Sequence, residues 1–325
     1  GRKAVKYFDA QLPDNDSRFV YDFIRHAKSR GADVRNYTEL TSASFDGVWE
    51  LGITAGKKKS TVKAKSVVNA AGPYAQNVSK LLGSKTKAGL VFSKGIHLVL
   101  NRKLTEKYQV LAFWDEEGRL FYVLPMGDRS MIGTTDTRVE KPETKTNKDD
   151  IDFVLRQINA QLELAQPITE DQIVSDRSGV RPLVVENGDS GDDQDWHALS
   201  RKHAIEANRD KQVVTILGGK LTDCLNVGEE VIDELKGFGM RLEDPGTWFG
   251  EGSQERKTEF FAKVASQTTG NEDLIATGLW RRHGNKAFDI IGEQKLEDIF
   301  DGLGIGCQGC IRTRRLCLWQ PRTIC

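Results

Sequence analysis

A histidine in an apolar strand, an arginine on another such strand and a lysine behind two glycines are the residues of this 325-residue chain best suited to chemistry. His97 lies in Lys94-Gly95-Ile96-His97, and an imidazole exchanges a proton near neutrality. A lone strand histidine is equally well read as a core group with its hydrogen bonds met. Arg181 lies in Gly179-Val180-Arg181-Pro182-Leu183, and a planar guanidinium can grip a phosphate with two parallel hydrogen bonds. Lys220, directly after Gly218-Gly219, would add a second positive charge at the same pocket. Taken singly, either cation is as readily a solvated or salt-bridged side chain. Thr134, Thr135 and Asp136 follow a strand and Gly133, where short polar groups can position a ligand or orient His97.

Two glycine turns could hold a flat or charged ligand. Val62, Val67 and Val68 have the β-branched character of a buried strand, and Asn69-Ala70-Ala71-Gly72 follows them. Ala70, Ala71 and Gly72 have almost no side chain, so a ligand can approach the backbone closely. Pro73 suits a first helical turn; Asn77, Val78, Leu81 and Leu82 continue with helical spacing, and Gly83 ends the run. Gly218-Gly219 precedes a second helix and offers bare N–H groups at its positive end. Each turn is also an ordinary strand–turn–helix corner when read alone.

The elements that must position these residues follow from periodicity. A helix is expected over residues 17–30, with Phe19, Phe23, Ile24 and Ala27 on its apolar face, Asp16 or Ser17 as N-cap and Gly31 as stop. Strands are expected over Ala32 to Tyr37, Val48 to Ile53 and Thr61 to Val68, the last two joined by the exposed turn at Gly56-Lys57-Lys58-Lys59. From residue 88 short alternating runs predict an antiparallel sheet: Leu90 to Phe92, His97 to Leu100, Val110 to Trp114, Leu120 to Leu124 and Ser130 to Ile132. A helix over Asp149 to Leu162 closes that section. Strands return over 173–217, a helix covers Leu221 to Leu235, and beyond Asp244-Pro245-Gly246 the chain is helical, with Phe260, Phe261, Val264, Leu274, Ile275 and Leu279 on apolar faces.

Charged residues are 29% of the chain and sum to a formal net charge of +0, which argues against a nucleic-acid partner. No apolar run of about 18 residues is present, so no spanning helix is expected, and no signal peptide is visible. Four of the five cysteines (Cys307, Cys310, Cys317, Cys325) crowd the end of the chain beside several arginines. Cys307-Gln308-Gly309-Cys310 is half of a zinc pattern without a second half, so no metal is expected and residues 305–325 read as an aberrant tail foreign to the fold.

Six ordered motifs together are far more specific than any one: Asn69 to Gly72, Lys94 to His97, Gly133 to Thr137, Gly179 to Leu183, Ser200-Arg201-Lys202-His203 and Gly218-Gly219-Lys220-Leu221-Thr222. In this order and spacing, from Tyr7-Phe8-Asp9-Ala10-Gln11 to about residue 300, the chain resembles the FAD-dependent, quinone-linked glycerol-3-phosphate dehydrogenases. The resemblance implies an α/β fold: an FAD-binding Rossmann-like domain, an antiparallel-sheet substrate domain and a C-terminal helical domain. The expected divisions are 1–87 (remnant of the FAD domain), 88–172 (substrate domain), 173–240 (return to the FAD domain), 241–304 (helical) and the tail. No Gly-x-Gly-x-x-Gly follows an early strand, so the chain is expected to lack the N-terminal unit that cradles the FAD pyrophosphate.

The same resemblance implies oxidation of sn-glycerol 3-phosphate to dihydroxyacetone phosphate, with hydride passing to FAD and electrons to quinone. His97 would take the hydroxyl proton; Arg181 and Lys220 would hold the phosphate, with Thr134, Thr135 and Thr222 in the substrate pocket. Asn69, Ala70, Ala71, Gly72, Gly218, Gly219 and Leu221 would line the FAD. His203 matches the family without a clear role. One departure stands out: the family usually has a threonine where this chain has Asp223, a carboxylate near a phosphate pocket unless it points away. A peripheral place on the inner face of the membrane, in the cytoplasm, and a homodimer are also implied. The alternatives are a related FAD-dependent amine or amino-acid oxidase, which needs no double cation, or a non-catalytic truncated fragment.

Overall fold

Strand alternation in the middle of the chain sorts residues between a hydrophobic core and an open sheet face. The computed structural model describes residues 5, 6, 8, 16–106, 108–116, 118–185, 202–241, 253–268 and 272–292. Elements run in the order α1 (Asp16–Ser29), β1 (Thr38–Phe45), β2 (Trp49–Ala55), β3 (Lys58–Ala64), β4 (Val67–Asn69), α2 (Ala75–Leu81), β5 (Gly89–Leu100), β6 (Leu111–Trp114), β7 (Leu120–Met126), β8 (Arg129–Gly133) and β9 (Thr137–Val139). Then follow α3 (Lys148–Gln161), β10 (Ile173–Val185), β11 (His203–Asn208), β12 (Val213–Gly218), α4 (Cys224–Gly237), α5 (Gln254–Gln267), α6 (Glu272–His283) and α7 (Ala287–Ile291). The chain divides into two units, Gly1–Asn36 with Asp244–Cys325, and Tyr37–Glu243.

The second unit carries three sheets. The largest has the order β10-β5-β8-β7-β6, with β9 also paired to β5. The two short runs expected at 90–92 and 97–100 are one continuous strand, β5, because β10 pairs with it from Gly89 to Leu100. Residues 173–185, expected to open the return to the cofactor domain, are thus the partner of β5. The even positions Ile96, Leu98 and Leu100 join Phe121, Val123 and Ile132 in a core closed by Val154 and Ile158 of α3. Full burial of one large aliphatic side chain contributes about 1.5–3 kcal/mol, so this cluster dominates the packing of the sheet.

The helix α3 starts on a capping box. Asn147 accepts from the Asp150 backbone N–H at 2.9 Å, and the Asp150 carboxylate accepts from the Asn147 N–H at 2.9 Å. The same carboxylate accepts from Lys94 Nζ at 2.6 Å, with both side chains about 5% exposed. Lys94 is therefore tied to the core side of β5, one residue from the opposite face.

A second, antiparallel sheet is β1-β2-β3. The strand expected over 32–37 is absent; β1 begins at Thr38. The strand expected over 61–68 is split, because β3 ends at Ala64 in its hairpin with β2 and β4 pairs elsewhere. Lys57 and Lys58 are exposed in that hairpin, as the sequence predicts. The third sheet is β11-β12-β4, in which β4 runs parallel to β12.

In the other unit, Phe260 and Val264 of α5 pack with Ile275, Leu279 and Trp280 of α6 and Ile291 of α7. Leu274, expected on that apolar face, is 67% exposed. On α1 the buried side chains are Arg18 and Asp22 rather than Ile24 and Ala27. Arg18 Nε donates to Asp22 Oδ2 at 2.9 Å and Nη1 to the Trp280 carbonyl at 3.2 Å, so a charged pair takes the inner face and Phe19 and Phe23 flank it. The cysteine-rich tail, Arg201, Ser200 and most of residues 7–11 lie outside the described residues. Among the described residues no helix is long and apolar enough to cross a membrane.

Candidate active site

The odd residues of β5 face away from the α3 core, and their partners on β10 complete a small cavity. The register pairs His97 with Arg177, Gly95 with Gly179 and Ser93 with Arg181. Alternation along each strand puts these three pairs on one face. The central pair is glycine on glycine, so the floor has no side chains, and an added Cβ at Gly179 would meet nothing within 4 Å. A cavity of about 290 Å³ opens there, lined by residues 177–181 of β10 with Gly95 and His97 of β5.

Arg181 reaches over the floor. A Cβ at Gly95 would lie 2.2 Å from its Nη2, which shows that the guanidinium occupies the space a side chain would fill. Nη2 donates to Thr134 Oγ1 at 2.9 Å, and Nη1 makes longer contacts of 3.4 Å to Ser93 Oγ and the Thr135 carbonyl. Asp136 sits 3.6 Å from Nη1 and is itself held by Ser93 Oγ and by Arg119 through its backbone carbonyl. Thr135 is buried, and its hydroxyl accepts from the Ile96 N–H at 3.1 Å. Thr134 therefore orients the arginine, while Thr135 braces β5.

His97 packs its ring over Gly133 of β8, whose added Cβ would come within 2.9 Å of His97 Cδ2. Burial, with the nearby charges of Arg181 and Arg177, holds its pKa below the ordinary 6.5. The imidazole is thus neutral at neutral pH and free to accept a proton.

The structure brings His97, Thr134, Thr135 and Arg181 together. Lys220 and Thr222 are not among the residues that line the cavity. Both are exposed in the turn that follows β12. The second cation that does line it is Arg177, which sequence reading passed over. The signal was present: Arg177, Gly179 and Arg181 fall on one face at period two.

The glycine turns meet at the carboxyl ends of two parallel strands, β4 and β12, where ligands bind in open α/β sheets. The short helical turn Gly72–Tyr74 packs against both β10 and β12. Gly72 has φ +55°, and a Cβ there would meet nothing within 4 Å; Ala70 is exposed. Bare backbone at 70–72 facing open space fits the edge of a flat dinucleotide-type group. Asn69 serves the turn itself, since its amide donates to the Ala75 carbonyl at 2.8 Å and its Oδ1 accepts from the Ala71 N–H at 3.3 Å. Gly218 and Gly219 are required by packing: added Cβ atoms would lie 2.6 Å from Val184 Cγ2 and 3.2 Å from His203 Cβ. Leu221 is exposed beside them.

Asp223 does point away from a ligand. Its Oδ2 pairs with His203 Nδ1 at 2.7 Å and Oδ1 accepts from Asn226 at 2.6 Å, while His203 Nε2 meets Glu230 at 2.9 Å. The two carboxylates raise the His203 pKa, Glu230 most, and the hydrogen bonds of the ring link β11 to the start of α4 and to Glu230 within it. Among the described residues no group of three His, Cys, Asp or Glu side chains is arranged to hold a metal ion.

The chain is 29% identical over 313 residues to the aerobic glycerol-3-phosphate dehydrogenase of Staphylococcus aureus, covering 94% of this chain and 51% of that protein. The same-named protein of Staphylococcus haemolyticus is 29% identical over 244 residues, 72% of this chain and 42% of that protein. The chain spans about half the length of the curated relatives it matches. The solved glycerol-3-phosphate dehydrogenase of Bacillus halodurans, complexed with FAD, superposes with a TM-score of 0.68 at 26% identity, covering 84% of this chain and 54% of that one. A glycerophosphate oxidase of Mycoplasma pneumoniae with FAD bound shares the fold at a TM-score of 0.51 and 18% identity, covering 70% of this chain and 57% of that one. Residues 2–202 match the family model described as FAD dependent oxidoreductase, and the chain belongs to that family.

Proposed function

We propose that the protein oxidises glycerol 3-phosphate at C2 to dihydroxyacetone phosphate. The observation that carries this reading is the placement of a neutral His97 and the Arg181 guanidinium around one side-chain-free floor. The chemistry supplied by bound FAD is acceptance of the C2 hydride and release of two electrons to a quinone. A ring nitrogen of His97 takes the C2 hydroxyl proton as the carbonyl forms, and the low pKa keeps that nitrogen ready. Arg181, pre-oriented by Thr134, holds the phosphate with its planar fork. Residues 70–72, with their bare backbone, would hold an edge of the FAD. Relatives named glycerol-3-phosphate dehydrogenase support the substrate, and their dehydrogenase name supports an acceptor other than oxygen. A quinone is held in a membrane, so the same reading puts the protein peripherally on its cytoplasmic face.

The test is steady-state turnover by the FAD-loaded protein with glycerol 3-phosphate and with glycerol, using a soluble quinone or oxygen as acceptor. Arg181→Ala should lower kcat/KM for glycerol 3-phosphate at least about tenfold, since a charge-assisted hydrogen bond contributes about 1.5–3 kcal/mol. Glycerol, which has no phosphate, should lose far less. Equal losses on both substrates would make Arg181 a structural residue; turnover with oxygen alone would sink the quinone assignment.

A further inference from the structure

The two guanidinium groups of the cavity differ in how their charge is answered. Arg181 lies 3.6 Å from Asp136 and donates to Thr134, so its charge is partly neutralised before any ligand arrives. Arg177 lines the same cavity, and among the described residues it has neither a carboxylate nor a hydrogen-bond partner. It stands directly across the β5–β10 ladder from His97 and four residues before Arg181, on the same face. Gly95 and Gly179 lie between the two arginines; the Arg181 guanidinium covers Gly95, and the open space over Gly179 lets both arms reach a common ligand. The closeness of Arg177 to the reacting centre is also felt at His97, whose protonation its charge opposes.

We propose that Arg177 is a second substrate-binding residue of this cavity, whose guanidinium binds the anionic head group and selects a doubly charged phosphate over an uncharged alcohol. With Arg181 and Asp136 nearly cancelling and His97 neutral, Arg177 supplies the net positive charge that attracts a dianion. Lys220, in the turn after β12, does not line the cavity, so Arg177 takes the part that a second cation has there. The inference rests on the function proposed above for the identity of the anion, and on the cavity alone for its existence.

The experiment compares the unmodified protein with Arg177→Gln and Arg177→Lys. Each is assayed with glycerol 3-phosphate and glycerol, and each is titrated calorimetrically with inorganic phosphate. Arg177→Gln should raise KM for glycerol 3-phosphate about tenfold or more, weaken phosphate binding by a similar factor and lower kcat/KM for glycerol by a much smaller factor. Arg177→Lys should recover part of both losses, because it keeps the charge and loses the fork. The acid limb of kcat/KM should move to higher pH in Arg177→Gln, since a cation beside His97 is gone. Equal losses on both substrates, or phosphate affinity indifferent to Arg177→Gln, would overturn the assignment. If the unmodified protein fails to oxidise glycerol 3-phosphate while phosphate binding still depends on Arg177, the proposed reaction falls and the anion site stands. If it oxidises glycerol 3-phosphate and Arg177→Gln changes neither KM nor phosphate affinity, the reaction stands and the role of Arg177 falls.

Discussion

Gly95→Ala separates the cavity's function from its stability. An alanine Cβ at position 95 would lie 2.2 Å from Nη2 and 2.6 Å from both Cζ and Nη1 of Arg181. Those atoms are the far end of a flexible side chain, so the guanidinium yields rather than the backbone. Gly95 lies in mid-strand outside the left-handed region, where alanine fits the backbone and lowers unfolded-state entropy by about 0.4–1 kcal/mol. Folding stability should therefore change little. The displaced guanidinium gives up its 2.9 Å bond to Thr134 and its pairing with Asp136, and it no longer covers the floor where the phosphate is to sit. Loss of one charge-assisted contact worth about 1.5–3 kcal/mol, at about 1.4 kcal/mol per tenfold, predicts a ten- to hundredfold fall, roughly, in kcat/KM for glycerol 3-phosphate. Steady-state kinetics with a thermal melt and a flavin spectrum on the same preparation would measure it. Unchanged kcat/KM would refute the anchoring role of Arg181. A fall in Tm beyond about 5 °C would show instead that the arginine cannot move aside.

Three other outcomes follow from the same geometry. Asp150→Ala removes both the α3 capping box and the partner of buried Lys94, so it should cost about 3–5 kcal/mol in chemical denaturation; a loss below about 1 kcal/mol would mean the pair is not buried in solution. The activity of the FAD-loaded protein should be flat at neutral pH and fall on acidification only below the ordinary histidine value, because the pKa of His97 is depressed and its neutral form is the base; an acid limb above that value would assign the base elsewhere. His203 has a raised folded pKa, so its contribution to stability is full below pH 6.5 and is lost as pH rises through the folded value. Thermal melts should show that decline, and His203→Gln should flatten it.

Local signals in the sequence determined much of the frame. Alternation predicted the antiparallel sheet, turn residues marked the Gly56 turn and the two glycine corners, and the helix expected from Asp149 begins within a residue of the observed α3. These features are legible because each depends on neighbours a few residues away. The strand expected over 32–37 failed because propensity without a partner strand does not make a ladder, and the apolar face of α1 was misjudged because an ion pair between Arg18 and Asp22 is as well buried as a phenyl ring when both charges are satisfied.

The site divides along the same line. Residue types alone named His97 and Arg181 as the groups able to move a proton and hold an anion, and the glycines as places of close approach. Only the pairing of β5 with β10, some 80 residues apart in sequence, decided that Gly95 faces Gly179 and that Arg177 stands opposite His97. That register is a long-range property, set by which hydrophobic face meets α3, and a shift of one residue would turn every polar group of the cavity into the core. The same tertiary arrangement split Lys94-Gly95-Ile96-His97 between two faces, left Lys220 outside the cavity and turned Asp223 toward His203. Side-chain chemistry is written residue by residue, whereas its convergence on one cavity depends on strand register that no local stretch of sequence contains.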